Sequence, residues 1–132
     1  PEMEQGLGVV GRSEPKVMFT PHLVPMQRGI LSTCYAPAAS GVHGEDIVAT
    51  LHEAYGGSPF VDVVADPPNT RWVVGTNRAL INAYLDTRTR SVIVVAAIDN
   101  LLKGAAGQAV QCANLMLGVE ETAGLPMAGW MP

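Results

Sequence analysis

The sequence predicts an α+β domain: a mixed β-sheet with helices mainly on one face. Three observations lead there. Segments rich in β-forming residues flank one amphipathic stretch, "EDIVATLHEAY", in which Ile47, Val48, Leu51, Ala54 and Tyr55 fall at helical spacing. The run "SVIVVAAI" is apolar on both faces, as a strand inside a sheet is. Helical segments stand at both ends of the chain.

Taken in order, "PEMEQGLGVVG" reads as a helix with Pro1 in its first position and Glu2 and Glu4 favouring its N-terminal dipole. A helix that starts without a cap suggests a chain cut from something longer. "RSEP" breaks it. "KVMFTPHLVP" is expected as an edge or bulged strand, because Pro21 cannot donate to a ladder. "GILSTCYA" alternates as a second strand, "PAASGVHG" is loop, and Gly56 and Gly57 stop the central helix. "FVDVVA", "WVVGT" and "ALINAYLD" are expected as strands, with "DPPNTR" a turn between the first two. "TRTR" turns the chain into "SVIVVAAI", and a final helix runs from about Asn100 to Leu117.

The 132 residues suffice for one domain with its own core, and residues 1–132 are taken as one unit. A net charge of −4, with eight scattered Lys and Arg, argues against nucleic-acid binding. The Trp and Tyr residues sit apart and offer no base-stacking platform. The longest apolar run, Val92 to Ile98, is far short of the roughly 20 residues that span a bilayer. No basic segment precedes an apolar stretch, so no signal peptide or membrane partner is expected. Cys34 and Cys112 suggest neither a disulfide framework nor a zinc site, and His22, His43 and His52 are too scattered to bind metal. A reducing cytoplasm is the expected location.

The last helix has two faces. Leu102, Ala105, Ala106, Ala109, Val110, Ala113, Met116 and Leu117 share a wide apolar side, expected to pack on the domain's own sheet. The opposite ridge carries Lys103, Gly107, Gln111 and Asn114, with Gly104 and Gln108 beside it. Each interior glycine costs roughly 1 kcal/mol relative to Ala. Small and amide side chains there are expected to admit a second polypeptide or a ligand.

"IDNLLKGAAGQAVQCANLM" and "FTPHLVPMQRGILST" together resemble the C-terminal half of N-acetyl-gamma-glutamyl-phosphate reductases, NADPH-dependent enzymes of arginine biosynthesis. The opening "PEMEQ" resembles the tail of that family's His-x-His-Thr-Pro-Glu motif, and the match runs from Pro1 to the end. The resemblance implies an α+β domain like the C-terminal domains of glyceraldehyde-phosphate and aspartate-semialdehyde dehydrogenases. It would carry substrate and subunit contacts behind an N-terminal Rossmann domain that binds NADP. The last helix would return against that domain, so Gly104, Gly107, Gln111 and Asn114 would face it.

In the family's reaction a cysteine thiolate is acylated by N-acetylglutamyl phosphate, hydride reduces the thioester to N-acetylglutamate semialdehyde, and a histidine handles protons. The nucleophile lies in a Gly-Cys-Tyr-Pro motif, and both it and the histidine are expected upstream of Pro1. This chain therefore holds no catalytic residue, and alone it is expected to be inactive. "TCYAP" imitates the nucleophile motif, but Cys34 falls mid-strand rather than at a helix start, and with Cys112 it reads as a structural, mainly buried thiol.

The candidate substrate contacts are Glu2, one helical turn after the family's histidine, and Arg28, whose guanidinium suits a carboxylate or phosphate. The candidate cofactor contacts are Asn100, at the junction where related dehydrogenases meet the nicotinamide amide, and Gly104 and Gly107. His22 is more readily structural, and His52 is a surface residue. Expected partners are the Rossmann domain, a small-molecule substrate and other copies of the chain, as a dimer or tetramer. The alternatives are an aspartate-semialdehyde dehydrogenase-like domain and a non-enzymatic dimerisation or small-ligand-binding module.

Overall fold

A computed structural model of the chain describes residues 2–11 and 14–129; the expected helix start at Pro1 and part of the "RSEP" break lie outside them. Strands Ile30–Pro37 (β1), Val61–Val63 (β2), Ala79–Asp86 (β3) and Ser91–Ile98 (β4) pair in the order β1-β4-β3-β2. β4 runs antiparallel to both β1 and β3, with Ile98 opposite Ile30 on one side and Ala79 on the other. Its interior place matches its apolarity on both faces. β2 runs parallel to β3, so the sheet is mixed as expected.

The β3–β4 turn is built by side chains. Asp86 Oδ1 accepts from the backbone N–H of Arg88 at 2.9 Å and of Thr89 at 3.3 Å. Arg90 closes the turn at φ 54° and donates through Nη2 to the Ala39 carbonyl at 2.9 Å, which ties the turn to the loop after β1.

The helices are Glu2–Gly11 (α1), Gly44–Tyr55 (α2) and Gly107–Leu117 (α3), and a π-helical turn, Leu102–Ala106, leads directly into α3. α2 packs across β2 and β3. Phe60, Val73, Leu80 and Ala97 are buried at the centre of the domain.

Two expected strands are absent. Residues 16–25 run without ladder partners, since Pro15, Pro21 and Pro25 remove donors at short intervals. "WVVGT" instead follows a 3-10 turn, Thr70–Trp72, in which Asn69 Oδ1 accepts from Arg71 N at 2.9 Å. Gly75 at φ 78° then turns the chain, so local bonds and a left-handed glycine defeat the β-propensity of Val73 and Val74.

The largest correction concerns the last helix: its faces are the reverse of those expected. Met116 is 86% exposed and Leu117 77%, whereas Gly107 and Asn114 are buried. At the end of α3, Gly118 takes φ 69° and reverses the chain. The returning tail covers the amide ridge: Asn114 Nδ2 donates to the carbonyls of Glu121 at 3.1 Å and Ala123 at 3.0 Å. Asn77 N donates to the Pro126 carbonyl at 2.8 Å, which fastens the tail to the loop before β3. Gly107, Gln111 and Asn114 thus face this domain, whereas Gly104, Gln108 and the apolar stripe from Ala105 onward are exposed.

Candidate functional site

The segments "PMQRG" and "IDN" meet where β4 gives way to the last helix. Arg28 Nη2 donates to Asp99 Oδ2 at 2.5 Å, and in the next rung Gly29 N donates to Asn100 Oδ1 at 2.7 Å. Two consecutive residues are thereby clasped by two others across 71 positions of sequence. Gly29 is required here: it sits at φ 98°, and a β-carbon on it would lie 2.7 Å from Thr70 Cβ.

Asp99 is fully buried and anchors this clasp. Besides Arg28 it accepts from Gly75 N at 2.8 Å, Leu101 N at 2.8 Å and Leu102 N at 2.9 Å. Burial pushes its carboxyl up, but the guanidinium and the three backbone donors outweigh that and hold it at about 2. It is therefore ionised near neutrality. Arg28 keeps Nη1 and Nε without partners among the described residues; Nε is buried, and about a third of the side chain, 30%, is exposed. The free Nη1 can receive a carboxylate or phosphate oxygen.

A second polar group lies beneath the last helix. Lys103 Nζ donates to Gln111 Oε1 at 2.6 Å and stands 5.5 Å from the centre of the Phe60 ring. Asn77 Nδ2 donates to the same Gln111 oxygen at 3.1 Å, and Gln111 Nε2 donates to Glu121 Oε1 at 2.6 Å. Burial lowers the Lys103 pKa, partly offset by the Glu121 carboxylate. These bonds join the helix, the loop before β3 and the tail, so the amide ridge serves the fold's own cohesion.

The expected site residues therefore part company. Arg28 and Asn100 come together. Glu2 is exposed on α1, and no hydrogen bond or ion pair links it to the clasp among the described residues. α1 is instead tied to the next segment through Val17 N, which donates to Glu4 Oε1 at 3.0 Å. The reading of Gly107 as an opening to another domain is corrected by its surroundings. A β-carbon on Gly107 would meet Asn77 Oδ1 and the Leu102 carbonyl, and one on Gly104 would meet the Asp99 carbonyl, Ile30 and Ile98. Gly107 thus admits part of this chain, whereas Gly104 is exposed and a β-carbon there would make contacts of 3.2–3.5 Å.

Asp99 and Asn77 were not singled out from the sequence, although an acid at the end of an apolar strand was visible in "IDN". Cys34 and Cys112 are exposed rather than buried, because β1 and the outer side of α3 are uncovered. His22 Nδ1 lies 3.1 Å from the Thr20 carbonyl on the surface, His43 N donates to Asp46 Oδ2 at the start of α2, and His52 is exposed as expected. Among the described residues no three His, Cys, Asp or Glu side chains gather as a metal site, and no helix is long and apolar enough to cross a membrane.

Over its whole length the chain is 50% identical to an N-acetyl-gamma-glutamyl-phosphate reductase from Rippkaea orientalis, and it covers 38% of that protein. It is 48% identical to the protein of the same name from Moorella thermoacetica, covering 39% of it. The chain thus spans well under half the length of the curated relatives it matches. An aspartate semialdehyde dehydrogenase II from Vibrio cholerae shares the fold, with a TM-score of 0.58 at 24% identity over 72% of this chain and 29% of that one. Residues 1–100, from α1 through the sheet to the Asp99–Asn100 clasp, match the family described as semialdehyde dehydrogenase, dimerisation domain, and to that family this chain belongs.

Proposed function

We propose that the chain is the C-terminal part of an N-acetyl-gamma-glutamyl-phosphate reductase, which reduces N-acetylglutamyl phosphate to N-acetylglutamate semialdehyde with NADPH in arginine biosynthesis. The observation that carries this reading is 50% identity over the entire chain to a protein of that name. The likeness to an aspartate semialdehyde dehydrogenase, at 24% identity, supports the fold alone.

In this reading Arg28 binds an anionic group of the substrate through its unpaired Nη1. Asn100 holds Gly29 with its carbonyl oxygen, which leaves its Nδ2 without a partner among the described residues and free to donate to the amide of a nicotinamide. NADPH supplies the hydride when bound. Glu2, on α1, lies beside the upstream histidine of the whole enzyme. The nucleophilic cysteine and that histidine belong to the upstream portion, so the chain itself contributes binding and assembly.

Two uncovered surfaces suit assembly. β1 is exposed along all 8 residues, with Ile30, Leu31 and Tyr35 among them, and a second copy of the chain would cover it. The outward stripe of the last helix, Val110, Met116 and Leu117, would dock against an N-terminal Rossmann domain. The enzyme would work as a cytoplasmic homo-oligomer.

The test is substrate choice by the full-length protein, with N-acetylglutamyl phosphate and aspartyl phosphate compared at equal NADPH. A kcat/KM higher by about two orders of magnitude for the acetylated substrate is expected, as when a site hydrogen-bonds a group the competitor lacks. Equal or reversed preference would favour the aspartate-semialdehyde reading.

A further inference from the structure

We infer that Asp99 is a positioning residue for substrate binding: it fixes the Arg28 guanidinium so that its Nη1 is presented to the anionic substrate. The inference rests on the reading of Arg28 given above. Arg28 leaves an irregular segment that carries no ladder bonds, and an arginine on such a segment has many rotamers open to it. Asp99 removes that freedom at a single atom, Nη2, through a 2.5 Å bond.

The carboxylate can do this because it is itself immobile. Its two oxygens are held by N–H groups from two separate segments, Gly75 in the loop before β3 and Leu101 and Leu102 at the start of the last helix. The neighbouring rung, Gly29 N to Asn100 Oδ1, fixes the backbone from which Arg28 projects. Backbone and guanidinium are thus pinned independently. What remains is a fixed guanidinium whose Nη1 is unpaired among the described residues. With Nη2 taken by Asp99 and Nε buried, Nη1 is the donor left to an anionic acceptor on a side chain that is 30% exposed. The nearby negative charge weakens the pull of Arg28 on an anion at long range, so the contribution of Asp99 is geometric.

The test is a double-mutant cycle in the full-length enzyme, with Asp99→Asn, Arg28→Ala and the pair. Asp99→Asn keeps size and one acceptor oxygen but loses the ion pair. It should raise KM for N-acetylglutamyl phosphate about tenfold, while kcat and the KM for NADPH move less than about threefold. In the Arg28→Ala background it should add no further rise, since the residue acts through Arg28. An unchanged substrate KM for Asp99→Asn, or losses that multiply in the pair, would overturn the inference. If Arg28→Ala itself leaves the substrate KM unchanged, the reading of Arg28 fails first and takes this one with it.

Should Asp99→Asn not fold, the wild-type full-length protein still decides. Its Arg28 Nε–H resonance, assigned by its loss in Arg28→Lys, should be resolved and slow to exchange near neutral pH. A signal averaged with solvent like that of a free arginine would contradict a fixed guanidinium.

Discussion

Asn77 Oδ1 occupies the space that a side chain on Gly107 would need: a β-carbon built on the glycine would lie within 2.9 Å of the Leu102 carbonyl and closer still to that amide oxygen. The glycine is therefore a requirement of the domain's own packing, joining the last helix to the loop before β3. Its helical neighbour Gln111 bonds across the same junction, accepting from Asn77, and Lys103 donates to the same Gln111 oxygen.

Gly107→Ala should accordingly destabilise the chain. Helix propensity alone favours Ala by roughly 1 kcal/mol, whereas overpacking costs typically about 1–3 kcal/mol, and here backbone must also shift. Urea unfolding of the wild type and the variant should show a lower midpoint for Gly107→Ala. A higher midpoint would mean that Asn77 and the π-helical turn yield freely.

Acid should weaken the fold through Asp99. Its carboxyl is held at about 2, below its ordinary value of 3.8, so the stabilisation is complete above the ordinary value and disappears as pH falls from there through about 2. The loss over that window is on the order of 2 kcal/mol. Denaturant titrations across this range should fall steeply in the wild type and more gently in Asp99→Asn. Parallel curves would place the acid sensitivity elsewhere.

The outward stripe of the last helix should be dispensable locally and needed globally. Met116 is 86% exposed, so Met116→Lys should change the stability of this chain by no more than about 0.5 kcal/mol. The same substitution in the full-length protein should lower its melting temperature, because the stripe would then lie buried against the upstream domain. Equal behaviour in both proteins would leave the stripe without a partner.

β1 should mediate self-association. Tyr35 is 72% exposed on a strand whose other residues are also exposed. Sedimentation at micromolar concentration should show a dimer or larger, and Tyr35→Asp should shift it towards monomer. A wild-type monomer would remove β1 as an interface.

Much of this was legible from local pattern. β1, β3, β4 and α2 follow from alternation and helical spacing because those periodicities are properties of neighbouring residues. Val73 to Thr76 misled because the Asn69 side chain and the turn at Gly75 outweigh the β-propensity of the valines. The last helix shows a different limit. Its period identified which residues share a face, but an apolar stripe suits the domain's own sheet and another domain equally well, and the tail from 119 onward decided between them. Arg28 and Asn100 could be picked out singly as side chains with recognisable chemistry. Their union through Asp99 and Gly29 could not, because it spans 71 positions and depends on where β4 ends.

In the proposed function this chain provides binding and assembly surfaces for an acyl-phosphate reduction whose reacting groups lie upstream. Initial rates of NADPH oxidation with N-acetylglutamyl phosphate, measured for the full-length protein and for residues 1–132 alone, test it most directly. Turnover is expected from the full-length protein and none from the isolated chain. Turnover by the isolated chain, or none by the full-length protein, would contradict it.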